Sequence, residues 1–179
     1  MGLKTNPESE VQLDNRWFAL LTTSRHEQSV VARLAVHGIQ SFTPTYDSER
    51  LWKNRQRKTI RLPLFPNYVF ARLDRRESGT VLTLPSVHRI LGTRDTPTPL
   101  SEHEIRFLQS DHGGEQVKPF SGLVAGQRVR ILSGPLKGLE GVLVRQENGL
   151  LFVVSITLIN QYAAVRISGE ALHPLRSPI

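Results

Sequence analysis

The sequence predicts an α+β chain in two parts: an N-terminal antiparallel sheet with flanking helices, then a flexible linker and a small C-terminal β-barrel. Three observations predict it. Ser24–Glu27 and Ser101–Glu104 have the spacing of capping boxes, and each precedes apolar residues at helical spacing. Apolar runs rich in aromatic and β-branched residues lie around them and read as strands. Beyond a stretch punctuated by glycine and proline, five short strands fall within about 50 residues, enough to close a small barrel. The boundaries are a disordered tail at 1–14, an α+β domain at 15–109, a linker at 110–122 and the barrel at 123–179.

In order, Trp17–Thr22 is apolar and β-prone and reads as a buried strand. Ser24 and Glu27 then start a helix along which Val30, Val31, Leu34 and Ala35 recur on one face, and Gly38 is placed to end it in a left-handed conformation. Gly38 to Thr45 leads into a second strand. Tyr46 to Leu62 is polar and basic with Trp52 inside it, and reads as a hairpin with a mobile tip standing away from the body. Asp74 to Leu84 reads as a short helix interrupted at Pro85, and Val87 to Leu91 as another strand. The third helix carries Ile105 and Leu108 one turn apart. Asp111 to Gly122 has little periodicity and is the linker. Beyond it Val129 and Ile131 alternate with Arg128 and Arg130, and Ser133 to Gly138 forms a turn. Gly141 to Arg145, Leu150 to Ile156 and Tyr162 to Ile167 are strands, with a hairpin signal at Asn148-Gly149.

Leu64 to Phe70 sets three rings around a Pro66-Asn67 corner. Pro66 fixes its φ and Asn67 tolerates a left-handed conformation, so the chain turns and enters a strand with Tyr68 and Phe70 on one face and Val69 on the other. The rings either fill the core or line an exposed surface that needs a partner.

The formal net charge is +7. Arg50, Lys53, Arg55, Arg57, Lys58 and Arg61 follow one another without an intervening carboxylate, a local field suited to phosphates. A solvated hairpin face accounts for them equally well. The chain contains no cysteine, which excludes disulfides, thiolate catalysis and cysteine-ligated zinc and suits a reducing cytoplasm. No run approaches the roughly 18 apolar residues a membrane span needs, and the polar N-terminus lacks the apolar centre of a signal peptide.

Six histidines, at 26, 37, 88, 103, 112 and 173, are scattered. His103 lies between Glu102 and Glu104, but adjacent helical residues point apart and do not share a metal. Metal-protease, P-loop and nucleophile-elbow patterns are absent from the sequence, and the glycines at 134, 138 and 141 have turn spacing with no helix opening after them. The expectation is a protein with no catalytic residues, no metal and no cofactor.

The Trp-Phe opening strand, the capped helix with Glu27, the LFPNYVF strand, Pro99 to Ser101 and the segment GQRVRILSGPLKGLEGVL at 126–143 together resemble the NusG family of transcription elongation factors, from Trp17 to Leu175. The resemblance implies an NGN-like domain that docks on the clamp coiled coil of RNA polymerase and suppresses pausing or termination. It also implies an SH3-like KOW barrel that recruits a second partner, either termination factor Rho or a ribosomal protein. Carried over to this sequence, the polymerase site is Phe65, Tyr68, Phe70, Ile105 and Leu108. Arg25, His26 and Arg33 face upstream or non-template DNA, and an exposed helix face without a ligand explains Arg25 and Arg33 as well. Lys53, Arg55 and Arg57 of the hairpin are nucleic-acid candidates, and Ser133, Gly134, Pro135, Leu136 and Lys137 form the KOW partner loop.

Asn67 stands where general factors have glycine, and Phe-Pro-Asn-Tyr is more similar to the specialised RfaH-type paralogues, which favours antitermination on selected operons. Against this, Glu77-Ser78-Gly79 stands roughly where RfaH has His-Thr-Thr, and Leu136 replaces an aromatic used by general factors. The β-branched content of 142–167 favours a resting barrel over a helical alternative. A cytoplasmic monomer with no membrane association is expected. The rival is a ribosome-associated KOW protein holding RNA through Arg128, Arg130, Lys137 and Arg145.

Overall fold

The computed structural model describes residues 15–52, 56–74, 76–93, 96–112, 114–121, 126–146, 149–167 and 172–175. The expected tail at 1–14, Lys53 and Arg55 of the hairpin tip, and Asn148 lie outside them.

The chain is α+β. β1 (Arg16–Thr22), β2 (Ser41–Phe42), β5 (Tyr68–Leu73) and β6 (Val87–Ile90) form an antiparallel sheet in the order β2-β5-β1-β6. α1 (Glu27–Val36) follows β1, β3 (Thr45–Leu51) and β4 (Arg57–Pro63) make a separate hairpin, and α2 (Glu77–Thr83) precedes β6. The two-residue pair β7 (Gly92–Thr93) and β8 (Thr96–Pro97) leads to α3 (Glu102–Gln109).

Strand alternation divides the core. Phe18, Leu20, Val69, Ala71 and Leu73 face Val30 and Leu34 of α1 and Val81 of α2 in one apolar cluster. Trp17, Ala19 and Phe70 point the opposite way, into a second cluster with Phe65, Leu100, Ile105 and Phe107. Tyr68 and Phe70 thus lie opposite Val69, as the corner predicts.

α1 ends as the sequence indicates. Gly38 takes φ +73°, its amide donates to the Ala35 carbonyl, and Ile39 donates to Leu34, both at 3.0 Å, with Ile39 and Leu34 sharing the apolar cluster. The start of α1 is different. Arg25 has φ +65°, the helix begins at Glu27 rather than two residues earlier at Arg25, and no side chain caps it. Glu27 is buried and accepts the Asn67 amide at 2.8 Å, so its carboxylate serves the Pro-Asn corner instead of a capping box with Ser24. The expected box at Ser101–Glu104 does form. Asp74 and Glu77 also bond each other's amides, at 3.1 and 2.8 Å, which holds Glu77 against its own helix start.

Asn67 takes φ +71° and returns its carbonyl to the Thr22 amide at 2.8 Å, tying the corner to β1. A left-handed backbone costs an ordinary residue roughly 1–2 kcal/mol. Asn67→Ala is therefore expected to destabilise the chain by about 1 kcal/mol and Asn67→Gly to be near neutral, as read by urea denaturation.

The C-terminal part is a six-stranded antiparallel sheet of order β14-β10-β11-β12-β13-β9. Its strands are β9 (Lys118–Phe120), β10 (Gln127–Ile131), β11 (Glu140–Gln146), β12 (Gly149–Ile156), β13 (Gln161–Ile167) and β14 (Leu172–Pro174). β9 falls inside the expected linker: Phe120 pairs with Tyr162 and Lys118 with Ala164, so this segment supplies an edge strand. At Gly141 a Cβ would lie 2.6 Å from the Val153 carbonyl oxygen and 2.8 Å from the Phe152 ring, so only glycine lets β11 cross there.

The two parts are in contact. The cluster that holds Phe65, Phe70 and Ile105 runs on through Phe107 to Val129, Phe152, Val154 and Ile156 of the C-terminal sheet.

Candidate protein and nucleic-acid interfaces

The aromatic corner is filled, not open. Trp17 meets Phe42 edge-on at 5.3 Å, Phe42 stacks on Phe70 at 5.4 Å, and Phe65 meets Phe70 edge-on at 6.1 Å. Phe65 and Phe70 are 0% exposed and Ile105 is 2% exposed; Tyr68 and Leu108 are half-buried. The exposed apolar hollow expected from the sequence is therefore not present in this form of the molecule.

The covering runs through α3. Phe107 lies 6.0 Å from Phe152 of β12 and 5.2 Å from the His112 ring. Glu104 works on both sides of the contact. One carboxylate oxygen accepts the Ser101 amide at 2.9 Å and completes the cap of α3; the other accepts the Thr157 amide at 2.7 Å from the C-terminal part. His103 Nε2 lies 2.6 Å from the Glu140 carbonyl oxygen, in donating position. Sequence reasoning passed over Phe107. Glu104, Ile105, Phe107 and Leu108 are all withdrawn from water, and they span a wide arc of the helix. A one-sided surface helix carries a narrower stripe, so that width was the available signal of burial on two sides.

Burial pushes the His112 imidazole below its usual value, while the Phe107 carbonyl and the Asp111 carboxylate pull the other way. The folded chain then binds fewer protons than the unfolded chain, so stability is full at neutral pH. It falls as the pH drops through the unfolded value of about 6.5 toward the lower folded one. His112→Leu is expected to shrink the loss of stability between pH 7.5 and 5.5, measured by urea midpoints at the two pH values.

The expected nucleic-acid residues separate. Arg25 and His26 are exposed at the start of α1, with His26 Nδ1 3.0 Å from the Ser24 carbonyl. Arg33 donates to the Pro85 carbonyl at 3.1 Å and so braces α1 against the turn after α2. Arg57 pairs with Glu49 at 3.8 Å, and Arg61 with Asp47 at 3.4 Å. Trp52, not assigned a role from the sequence, is 56% exposed beside the tip.

In the turn between β10 and β11, Gly134 and Gly138 take φ +80° and +85°, and Gly138 donates to the Ile131 carbonyl at 2.7 Å. Ser133, Gly134, Pro135 and Lys137 are exposed, but Leu136 is 2% exposed and packs inward. Leu132, four positions earlier in the chain, is 47% exposed.

On the outer side of this sheet Glu140 collects two cations. Arg130 Nε donates to it at 2.9 Å and Arg128 lies at 3.8 Å; the Arg130 hydrogen bond, then the charges of both arginines, hold the carboxyl below its usual range. Among the described residues no three His, Asp or Glu side chains group as metal ligands, and no helix is long and apolar enough to cross a membrane.

The family described as "Transcription termination factor nusG" matches residues 15–109, more than half of the chain. The chain is 34% identical over 134 residues to a transcription termination/antitermination protein NusG of Helicobacter pylori strain J99, covering 66% of this chain and 74% of the relative. It is 30% identical over 152 residues to the protein of the same description from Streptococcus pyogenes serotype M1, covering 75% and 83%. A solved structure titled "Domain interaction in Thermotoga maritima NusG" aligns with TM-score 0.47 and 23% identity over 86% of this chain and 93% of that one.

Proposed function

The chain belongs to the NusG family of transcription termination and antitermination factors, and from that premise we propose that it is a non-catalytic cytoplasmic factor that docks on the clamp of RNA polymerase through the aromatic corner and α3. In this reading it suppresses pausing and termination on selected operons. The C-terminal sheet is a KOW-type barrel whose turn of Ser133, Gly134, Pro135 and Lys137, with Leu132, meets a second partner.

One observation carries the reading. The rings of the corner are covered on the α3 side by contacts that include one ring pair, one carboxylate and one imidazole. Once uncovered, an apolar surface of this kind suits a coiled-coil tip. Docking then requires the C-terminal part to move off α3. The RNA-binding alternative is weaker, because two of its four cations, Arg128 and Arg130, are held by Glu140.

Purified bacterial core RNA polymerase should be retained by the immobilised full-length chain, and absence of retention would remove the docking assignment. Binding to Rho separates the two family readings: strong binding argues for a general factor and against the operon-specific one.

A further inference from the structure

The register of β3 and β4 decides which hairpin face carries unmatched charge. Residues directly opposite in an antiparallel ladder share a face. On one face Asp47 lies across from Arg61, Glu49 from Thr59 and Leu51 from Arg57. Both carboxylates there pair with an arginine, so that face is neutralised by the hairpin itself.

The other face is different. Ser48 lies across from Ile60 and Arg50 from Lys58, and the Trp52 amide donates to the Gln56 carbonyl at 2.9 Å, extending the ladder by one more pair. No carboxylate occurs on this face of β3 or β4. Two like charges directly opposed across a ladder are destabilising unless an anion is shared between them. Beside them Trp52 is 56% exposed, with the Lys58 ammonium 5.3 Å from its ring centroid.

We propose that Arg50, Trp52 and Lys58 form a binding face for single-stranded nucleic acid, one base stacking on the indole and its flanking phosphates meeting the two cations. The inference goes beyond the docking function proposed above and gives a ligand to the hairpin that the sequence marked as a nucleic-acid candidate. A single strand fits better than a duplex because only an unstacked base offers its face to a side chain, whereas in a duplex the base faces are stacked on one another. Indole stacking is tolerant of sequence, and none of the three side chains reads a base edge in this arrangement, so affinity rather than sequence choice is what the face supplies. It is exposed while the C-terminal part still covers α3, so strand binding does not wait for opening.

The test is fluorescence anisotropy of labelled oligothymidylate and oligouridylate of about 12 nucleotides, and of a duplex of equal length, with the full-length chain. Both single strands are expected to bind, with any preference between them assigning DNA or RNA as the source of the strand. Trp52→Ala weakens binding about tenfold. Arg50→Gln and Lys58→Gln each lower the slope of log affinity against log salt by about 0.7, and Arg61→Gln on the neutralised face leaves both quantities unchanged. Unchanged single-strand affinity in Trp52→Ala, or a duplex bound as tightly as the strand, overturns the proposal. The same variants titrated with core polymerase keep parental affinity, so a failure here leaves the docking reading standing, and a failure of docking leaves this one to its own data.

Discussion

Tyr68→Ala is expected to weaken association with RNA polymerase by about thirtyfold or more while leaving the chain folded. Its ring is half-buried at the rim of the aromatic cluster, across the ladder from Leu21, where truncation opens no internal cavity. An aromatic anchor of a binding site loses about 2 kcal/mol or more on truncation, which is roughly thirtyfold. Phe65 and Phe70 give a different result. Both are 0% exposed and in ring contact with each other, so Phe65→Ala or Phe70→Ala costs about 3–5 kcal/mol of folding stability. That is a large part of the 5–15 kcal/mol typical of a domain, and loss of binding in those variants would report unfolding. Urea denaturation run beside the polymerase titration distinguishes the cases. Parental affinity in a folded Tyr68→Ala variant would take the corner out of the docking site.

Local signals read well where one local cause dominates. The Schellman end of α1 at Gly38, the Ser101–Glu104 box and the alternation of Tyr68, Val69 and Phe70 all depend on spacing alone. The box at Ser24–Glu27 failed because Glu27 found a stronger use 40 residues away, on the Asn67 amide, and spacing carries no information about that partner. β9 escaped for a related reason. Lys118-Pro119-Phe120 has poor strand propensity, and its pairing with β13 is set by the neighbouring sheet.

The site was legible in outline only. Residue types at the aromatic corner indicated a surface wanting a partner, but not that the C-terminal part of the same chain would supply one. Charge counting marked the hairpin as basic, whereas the register divides its cations: Arg57 and Arg61 are answered by Glu49 and Asp47, and Arg50 faces Lys58. Leu136 shows the same limit. Its place in the turn suggested exposure, yet the two left-handed glycines at 134 and 138 fold it inward and leave Leu132 outside.

Glu104→Ala should raise polymerase affinity, and Ser101→Ala should not. Both substitutions break the cap of α3, at about 1 kcal/mol of stability. Only Glu104→Ala also deprives the part-buried Thr157 amide of its acceptor, a hydrogen bond that contributes about 0.5–1.5 kcal/mol net. That loss falls on the covered form alone, since in the uncovered form water satisfies Thr157. If docking needs the uncovered form, the apparent affinity is the intrinsic one scaled by its population, so the gain is roughly two- to tenfold until opening is complete. Calorimetry of the two variants isolates the shared capping loss, and the polymerase titration reads the remainder. Equal affinity in Glu104→Ala, Ser101→Ala and the parent would mean that the contact between α3 and the C-terminal sheet does not compete with polymerase.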